Sequence, residues 1–180
     1  GQPVVVVNKV GASGTIGTIE VANAAKDGHT IGMLPVGPMT TQPNLRTLPY
    51  GPDSFDYVCL VYSNPQLLLV RADAPYKTYG ELVAHAKANP GKLNYGSSGI
   101  GASPNLSMEL LKLDAKLDIQ HVPYKGAALA MADVVSGHME LMVGNLPGPY
   151  PLVTAGKLRA LAVTSAERSL GELSTTAKTA

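Results

Sequence analysis

The chain has little of several things that particular functions need. Its 180 residues include one Phe and no Trp, so with eight Tyr it lacks the material for a platform on which nucleic-acid bases stack. Neither sign of charge predominates: 14 Lys and Arg stand against 13 Asp and Glu, a net charge of +1, which supplies no electrostatic footprint for nucleic acid or an anionic membrane surface. The single cysteine, Cys59, rules out an internal disulfide and a Cys-rich metal site; within the apolar run YVCLVY it reads as a buried small hydrophobe. No apolar run approaches the roughly eighteen residues that span a bilayer, so direct membrane insertion is not expected. The chain opens on GQPVVVVN without a charged and then apolar leader, as a piece or processed form of a longer protein would.

What is present is a globular composition, 45% apolar, enough for one ordinary domain or two small lobes. The β-branched residues 4–7 predict a strand, followed by the glycine-rich KVGASGTIG and a helix carrying Ile16, Ile19, Ala22 and Ala25 on one face. Residues 29–34 predict a second strand, Pro35 to Pro52 a proline-broken loop, and 57–62 and 66–70 two strands or one bent strand around Ser63-Asn64-Pro65. From Arg71 the alternation is regular. Thr78 and Glu81 form a capping box for a helix carrying Leu82, Val83 and Ala86. Residues 93–97 predict a strand, and Ser103 as N-cap with Pro104 at the first helical position starts a helix whose buried face is Leu106, Leu110 and Leu113. A strand at 119–124, a helix at 126–136 closed by Gly137, a strand at 139–145, a helix at 149–155 closed by Gly156 and a strand at 158–164 follow. The repeated βα pattern predicts right-handed crossovers and a parallel sheet.

Such a sheet carries its functional loops at the carboxyl ends of its strands, here 9–15, 97–103, 124–126 and 144–147. Neither glycine-rich turn has the Gly-Lys-Ser/Thr ending of a phosphate loop, and both miss the dinucleotide spacing G-x-G-x-x-G. Gly96-Ser97-Ser98-Gly99-Ile100 and Gly11-Ala12-Ser13-Gly14-Thr15 each fail the nucleophile-elbow pattern at its fifth position. His29, His85, His121 and His138 form no ligand or relay spacing, and only His121 lies near the rim; Glu81 and Glu109 read as solvent-facing on helices. The sequence therefore reads as that of no enzyme, with no metal site and no cofactor. Backbone N–H groups of turns that open helices remain, and these hold a carboxylate or phosphate without any lysine. A lone turn of this kind need only be a tight turn of an α/β fold; two of them, with serine hydroxyls added, point to an anion site.

At these residues the chain resembles a family. PVVVVNKVGASGTIGTIEVANAAKDGHTIGML, LNYGSSGIGASPNLSMELL, HVPYKGAALAMADVVSGHMELMVGNLP and AGKLRALAVTSAERS together resemble the Bug (TctC-type) solute receptors of tripartite tricarboxylate transporters, in order and spacing, to about Ser169. The resemblance implies an α/β, type II periplasmic-binding fold of two lobes with parallel-rich sheets. Residues 1–68 would be an incomplete first lobe, 69–170 the second lobe and 171–180 a tail or the start of the return connection, in a chain truncated at both ends. It further implies periplasmic location, a small carboxylate ligand captured between the lobes, and delivery to the membrane permease subunits of such a transporter. Ligand contacts would come from Ser13, Gly14 and Thr15 in the first-lobe turn and from Ser97, Ser98, Gly99, Gly101, Ala102 and Ser103 in the second-lobe turn. Tyr124 and Lys125 of PYKG and Asn145 after the next strand would complete the set. Gly144 stands where the family commonly has Asp, which disfavours an amino-acid ligand, and Gly101-Ala102-Ser103-Pro104-Asn105 replaces the family's frequent G-S-P-S-H. The alternatives left open are the effector-sensing domain of a transcription regulator, which can share this fold, and a small α/β hydrolase or transferase using Ser98.

Overall fold

The computed structural model describes residues 1–165. Among them, five strands form one sheet, β1 (Gln66–Arg71), β2 (Leu93–Ser97), β3 (Ile119–Pro123), β4 (Leu141–Asn145) and β5 (Leu158–Val163), in the order β3-β2-β4-β1-β5. β2 pairs in parallel with both β3 and β4, as the βα repeat predicts, whereas β1 runs antiparallel to β4 and β5. Four of the five strands thus point one way, and the sheet is parallel-rich rather than purely parallel. The residues expected at 171–180, and 166–170 at the end of the second lobe, lie outside the described part.

The sheet is covered on both faces, which is why β1 reads as an unbroken LLLV run instead of an alternation. Leu68 and Val70 join Leu82, Ala86, Leu93, Tyr95, Met108, Ile119, Leu141 and Leu161 on the side of α4 (Tyr79–Ala88) and α5 (Ser103–Ala115). Leu67 and Leu69 face the other way, with Ala130, Val134, Met139, Met142 and Leu158, against α6 (Ala127–Ser136) and α7 (Tyr150–Thr154). α6 ends where Gly137, at φ 84°, takes the left-handed conformation that stops a helix. At the start of α4, Thr78 Oγ1 accepts from Glu81 N at 3.2 Å, and the Glu81 carboxylate accepts from Lys77 N at 2.6 Å, one residue further back than a standard capping box reaches. Thr78→Ala should therefore lower stability by about 1 kcal/mol, read as a shift of the denaturant midpoint at unchanged slope.

Three expectations for the first third are corrected. Residues 4–7, 29–34 and 57–62 are not strands: Val4, Val5 and Val6 are 87%, 83% and 82% exposed, and among the described residues nothing pairs with these runs. β propensity supplies a side chain suited to a sheet but not the neighbouring ladder that makes a strand. Cys59, in one of these runs, is exposed rather than buried for the same reason. The regular elements here are α1 (Thr15–Asn23), which buries Thr15 and Thr18 in place of the Ile16 face, and two short helices, α2 (Val36–Thr40) and α3 (Gln42–Leu45).

α5 also departs from expectation. Its N-cap is Ala102, with no side-chain cap, and Ser103 and Pro104 are already helical. Leu106, Leu110 and Leu113 are 44%, 68% and 77% exposed, while Pro104, Asn105 and Met108 are buried and Leu111 and Ala115 pack on the core. Both stripes have the 3.6-residue period; polar ties from Asn105 and Glu109, described below, select the one that faces the sheet. β1 belongs along its whole length to the five-stranded sheet.

Candidate functional site

The 11–15 turn is built from left-handed backbone. Gly11, Ala12, Ser13 and Gly14 have φ of 116°, 46°, 56° and 91°, and a non-glycine residue held there costs about 1–2 kcal/mol, so Ala12 and Ser13 must be over-determined by their surroundings. Three bonds supply that: Gly14 N donates to Gly11 O at 2.9 Å, and the Ala12 carbonyl accepts from Thr15 Oγ1 at 2.9 Å and from Arg46 Nη2 at 3.0 Å. Arg46 also donates to Thr15 Oγ1 at 2.9 Å. The Thr15 hydroxyl, expected as a ligand donor, is thereby buried and committed to its own turn.

The 97–103 turn carries Gly99 at φ 130° and Gly101 at φ 72°, and Ala102 N closes it on Gly99 O at 3.3 Å. The two turns meet directly. The Ile100 carbonyl accepts from Ser13 Oγ and from Gln42 Nε2, each at 2.7 Å. A Cβ on Gly99 would lie 2.4 Å from Ser13 Oγ, and one on Gly101 would lie 2.5 Å from Gln42 Nε2 and from Leu45 Cδ1. Backbone therefore sits where no side chain fits, and the absence of a Cβ is what lets the turns touch.

Behind the second turn lies a polar network that sequence reasoning missed. Ser97 is fully buried; its hydroxyl donates to Gly99 O at 3.2 Å, accepts from Gly99 N at 3.2 Å and sits 2.8 Å from His121 Nε2. Asn105 Oδ1 accepts from Gly101 N at 2.8 Å, and Asn105 Nδ2 donates to Tyr95 Oη at 2.6 Å. Tyr95 in turn donates to Glu109 Oε1 at 2.6 Å, and Lys112 Nζ binds both Glu109 oxygens at 3.0 Å. Glu109 is thus a partly buried tie, not the solvent-facing residue expected. Burial alone would raise its carboxyl pKa, but the Tyr95 hydroxyl and Lys112 outweigh it and hold the group below the ordinary value. The same burial and the Glu109 contact push the Tyr95 hydroxyl upward. The pairing of β2 with β3 sets Tyr95 against His121, with rings stacked at 4.6 Å. That register was the available signal, and only a known strand pairing reveals it.

Ser97 and His121 have the spacing of a nucleophile and its base, but the rest of the arrangement differs. A base needs its other ring nitrogen oriented by an acceptor, whereas His121 Nδ1 faces the Asn105 amide nitrogen at 3.4 Å. Ser97 moreover has no exposed surface from which to attack.

The remaining expected residues divide. Ser98 and Ser103 are partly exposed, and their hydroxyls are uncommitted among the described residues. Tyr124 closes on the second turn through its backbone, donating from N to Ser97 O at 3.0 Å, while its hydroxyl donates to Asp133 Oδ2 at 2.5 Å. Burial first, and then the Asp133 carboxylate, push that hydroxyl up to about 12. Lys125 is exposed ahead of α6, and Asn145 is exposed at the end of β4. Gly144 is buried in β4 opposite Leu67. A third feature joins the parts: Gln66 N donates to Thr164 Oγ1 and Thr164 N to Gln66 O, both at 3.0 Å, so the segments entering and leaving the sheet run side by side.

Comparison with known proteins places these features in context. A family model described as the tripartite tricarboxylate transporter family receptor matches residues 1–178. The chain is 37% identical to a protein encoded between tcbD and tcbE in Pseudomonas sp. strain P51, over 100% of this chain and 54% of that one. Among solved structures, one of a periplasmic transporter superposes with a TM-score of 0.89 at 40% identity, over 93% of this chain and 57% of the other. An R. palustris protein with adipate gives 0.84 at 36% identity, over 91% and 56%, and MatC from Rhodopseudomonas palustris with bound malate gives 0.78 at 31% identity, over 88% and 54%. The chain spans about half the length of the relatives it matches.

Proposed function

The chain belongs to the tripartite tricarboxylate transporter receptor family, a class of periplasmic solute-binding receptors and not of enzymes, and on that premise we propose that it captures a small dicarboxylate between two lobes in the periplasm and delivers it to a membrane permease. The fold is that of these binding proteins, of which the chain covers about half. The observation that carries the reading is the contact between the two glycine turns, made by Ser13 and Gln42 from one side on the Ile100 carbonyl of the other. Closure of two lobes brings such turns together, and the paired segments at 66 and 164 are where a hinge would bend. We place the passage between lobes ahead of β1, at 63–65.

In this reading the carboxylate lies against the 11–15 and 97–103 turns and is held by Ser98 and Ser103, with Tyr124, Lys125 and Asn145 at the rim; the Ser13 hydroxyl and the N–H groups of Gly14, Gly99, Gly101 and Ala102 already have partners, so these residues shape the seat. Ser97 and Thr15 act from behind, because their hydroxyls already hold their own turns. Relatives solved with adipate and with malate support a dicarboxylate, and Gly144 in place of an acidic residue gives a ligand amine nothing to pair with. A panel of mono-, di- and tricarboxylates, amino acids and nucleotides tested by thermal shift and calorimetry decides it. A dicarboxylate at a hundredfold excess over its Kd should stabilise the protein by about 2.7 kcal/mol. Silence from every carboxylate with a response to nucleotides or amino acids would overturn the proposal.

A further inference from the structure

The polar network behind the 97–103 turn has a direction that its atoms dictate. Gly101 N can only donate, so the Asn105 atom it meets at 2.8 Å is the oxygen, and the Asn105 nitrogen is a donor toward Tyr95 Oη and His121 Nδ1. Tyr95 spends its own proton on Glu109, which leaves its oxygen free to accept. His121 Nδ1 must then be an acceptor, so the ring proton sits on Nε2 and points at Ser97 Oγ, 2.8 Å away. Ser97 passes its proton to Gly99 O. Every donor meets an acceptor with His121 neutral in this one tautomer.

Adding a second ring proton breaks the pattern at one place. Nδ1–H would face the Asn105 NH2, and turning the amide over would set that NH2 against the Gly101 N–H. Either the imidazole or the Asn105 side chain has to leave, and with it goes the bond that holds Gly101 or the one that holds Ser97.

We propose that His121 and Asn105 are positioning residues for the 97–103 turn, and that this turn keeps its ligand-holding geometry only while His121 is neutral, so that retained solute is released as His121 takes up a proton. The turn's dependence on His121 stands on the hydrogen bonds alone; the release of solute rests on the proposed receptor function. The groups facing the imidazole are Tyr95 and Ser97 from β2 and Asn105, Glu109 and Lys112 from α5. Burial lowers the His121 pKa below its ordinary value of 6.5; Glu109 opposes this and Lys112 adds to it. Because the folded value lies below the unfolded one, the stabilisation is complete above the unfolded pKa and is lost as pH falls through the folded pKa.

The test is an NMR titration of the protein between about pH 8 and pH 4, the range in which histidines change charge. The imidazole nitrogens of His121 and the amides of Gly99 and Gly101 are followed together. The ring should report a proton on Nε2 at neutral pH, and the Gly101 amide should shift with the same midpoint as His121, its exchange protection falling about tenfold, the scale of one lost hydrogen bond. His121→Gln should remove that step. A proton on Nδ1, a Gly101 midpoint different from that of His121, or a step that persists in His121→Gln overturns the proposal. If the variant does not fold, coincidence or separation of the midpoints in the unaltered protein decides. Calorimetry with adipate and malate is run across the same range: affinity falling with the His121 midpoint supports the release, and constant affinity refutes it. A protein that binds neither acid but shows the coupled Gly101 step would refute the receptor reading and keep the positioning role.

Discussion

Gly101→Ala should separate the two glycine turns and weaken the proposed dicarboxylate binding by about fivefold, leaving the five-stranded sheet folded. Residue 101 has φ 72°, where any L side chain costs about 1–2 kcal/mol. The added methyl would also stand 2.5 Å from Gln42 Nε2 and from Leu45 Cδ1. Leu45 is more than half exposed and can swing away, but Gln42 is 3% exposed and its amide is fixed on the Ile100 carbonyl. It yields only by giving up that bond, a further loss of about 1 kcal/mol. The strain falls on stability, and the lost contact, about 1 kcal/mol, is about a fivefold change in affinity at about 1.4 kcal/mol per decade. Gly28→Ala separates strain from collision: its φ is 79°, yet nothing lies within 4 Å of the new Cβ, so it should lose stability without losing affinity. Dicarboxylate affinity by calorimetry, beside the urea midpoint of each variant, makes the comparison. Equal affinities for the two variants would mean that the turns need not touch for binding.

Asn105→Leu should be the more damaging change to the fold. Asn105 is 6% exposed, and its amide serves Gly101 N, Tyr95 Oη and His121 Nδ1 at once. A leucine of similar volume fills the space and satisfies none of them. The Gly101 N–H is left buried with no acceptor, and the Tyr95 oxygen and His121 Nδ1 each lose a donor; at 1–3 kcal/mol for an orphaned buried group the total is roughly 3 kcal/mol, or about 10 °C in Tm for a domain of this size. Asn105→Asp separates volume from charge. One carboxylate oxygen still accepts from Gly101, while the other faces His121, so the imidazole pKa should move up and a neutral ring no longer be preferred. Thermal unfolding of both variants near pH 7 should show Asn105→Leu markedly destabilised; a change within 0.5 kcal/mol, the range of an ordinary surface substitution, would mean that the network is ornamental.

The second half of the described chain was legible because its signals are local. Thr78 caps α4, Gly137 ends α6, and the apolar runs at 66–70 and 93–97 sit in strands within a residue of where patterning put them. The two helix ends depend on sterics and hydrogen bonds within about one helical turn, and the two apolar runs are strands because the sheet supplies them with partners. The candidate turns were found by the same route, since glycines just ahead of a helix start mark backbone that must turn sharply. The first third was misread for the complementary reason. Val4 to Val7 have every intrinsic property of a strand, and a strand exists only against a partner.

The amino-acid sequence by itself determined the order of βα units from residue 66 onward, the position of both glycine turns ahead of helices, and the family to which the chain belongs. Tertiary structure decided what those residues do. Ser97 is a donor in sequence and a buried strut in the fold, because β3 lays His121 beside it; Glu109 faces water in a helical projection and a tyrosine in the fold, because α5 turns its Asn105 side inward. Gln42 carries no sequence signal at all, yet it holds Ile100 from 58 residues away. Backbone sterics act between neighbours and can be read in order along the chain, whereas the partner of a polar side chain is set by strand register and helix rotation, which exist only after the apolar faces have packed.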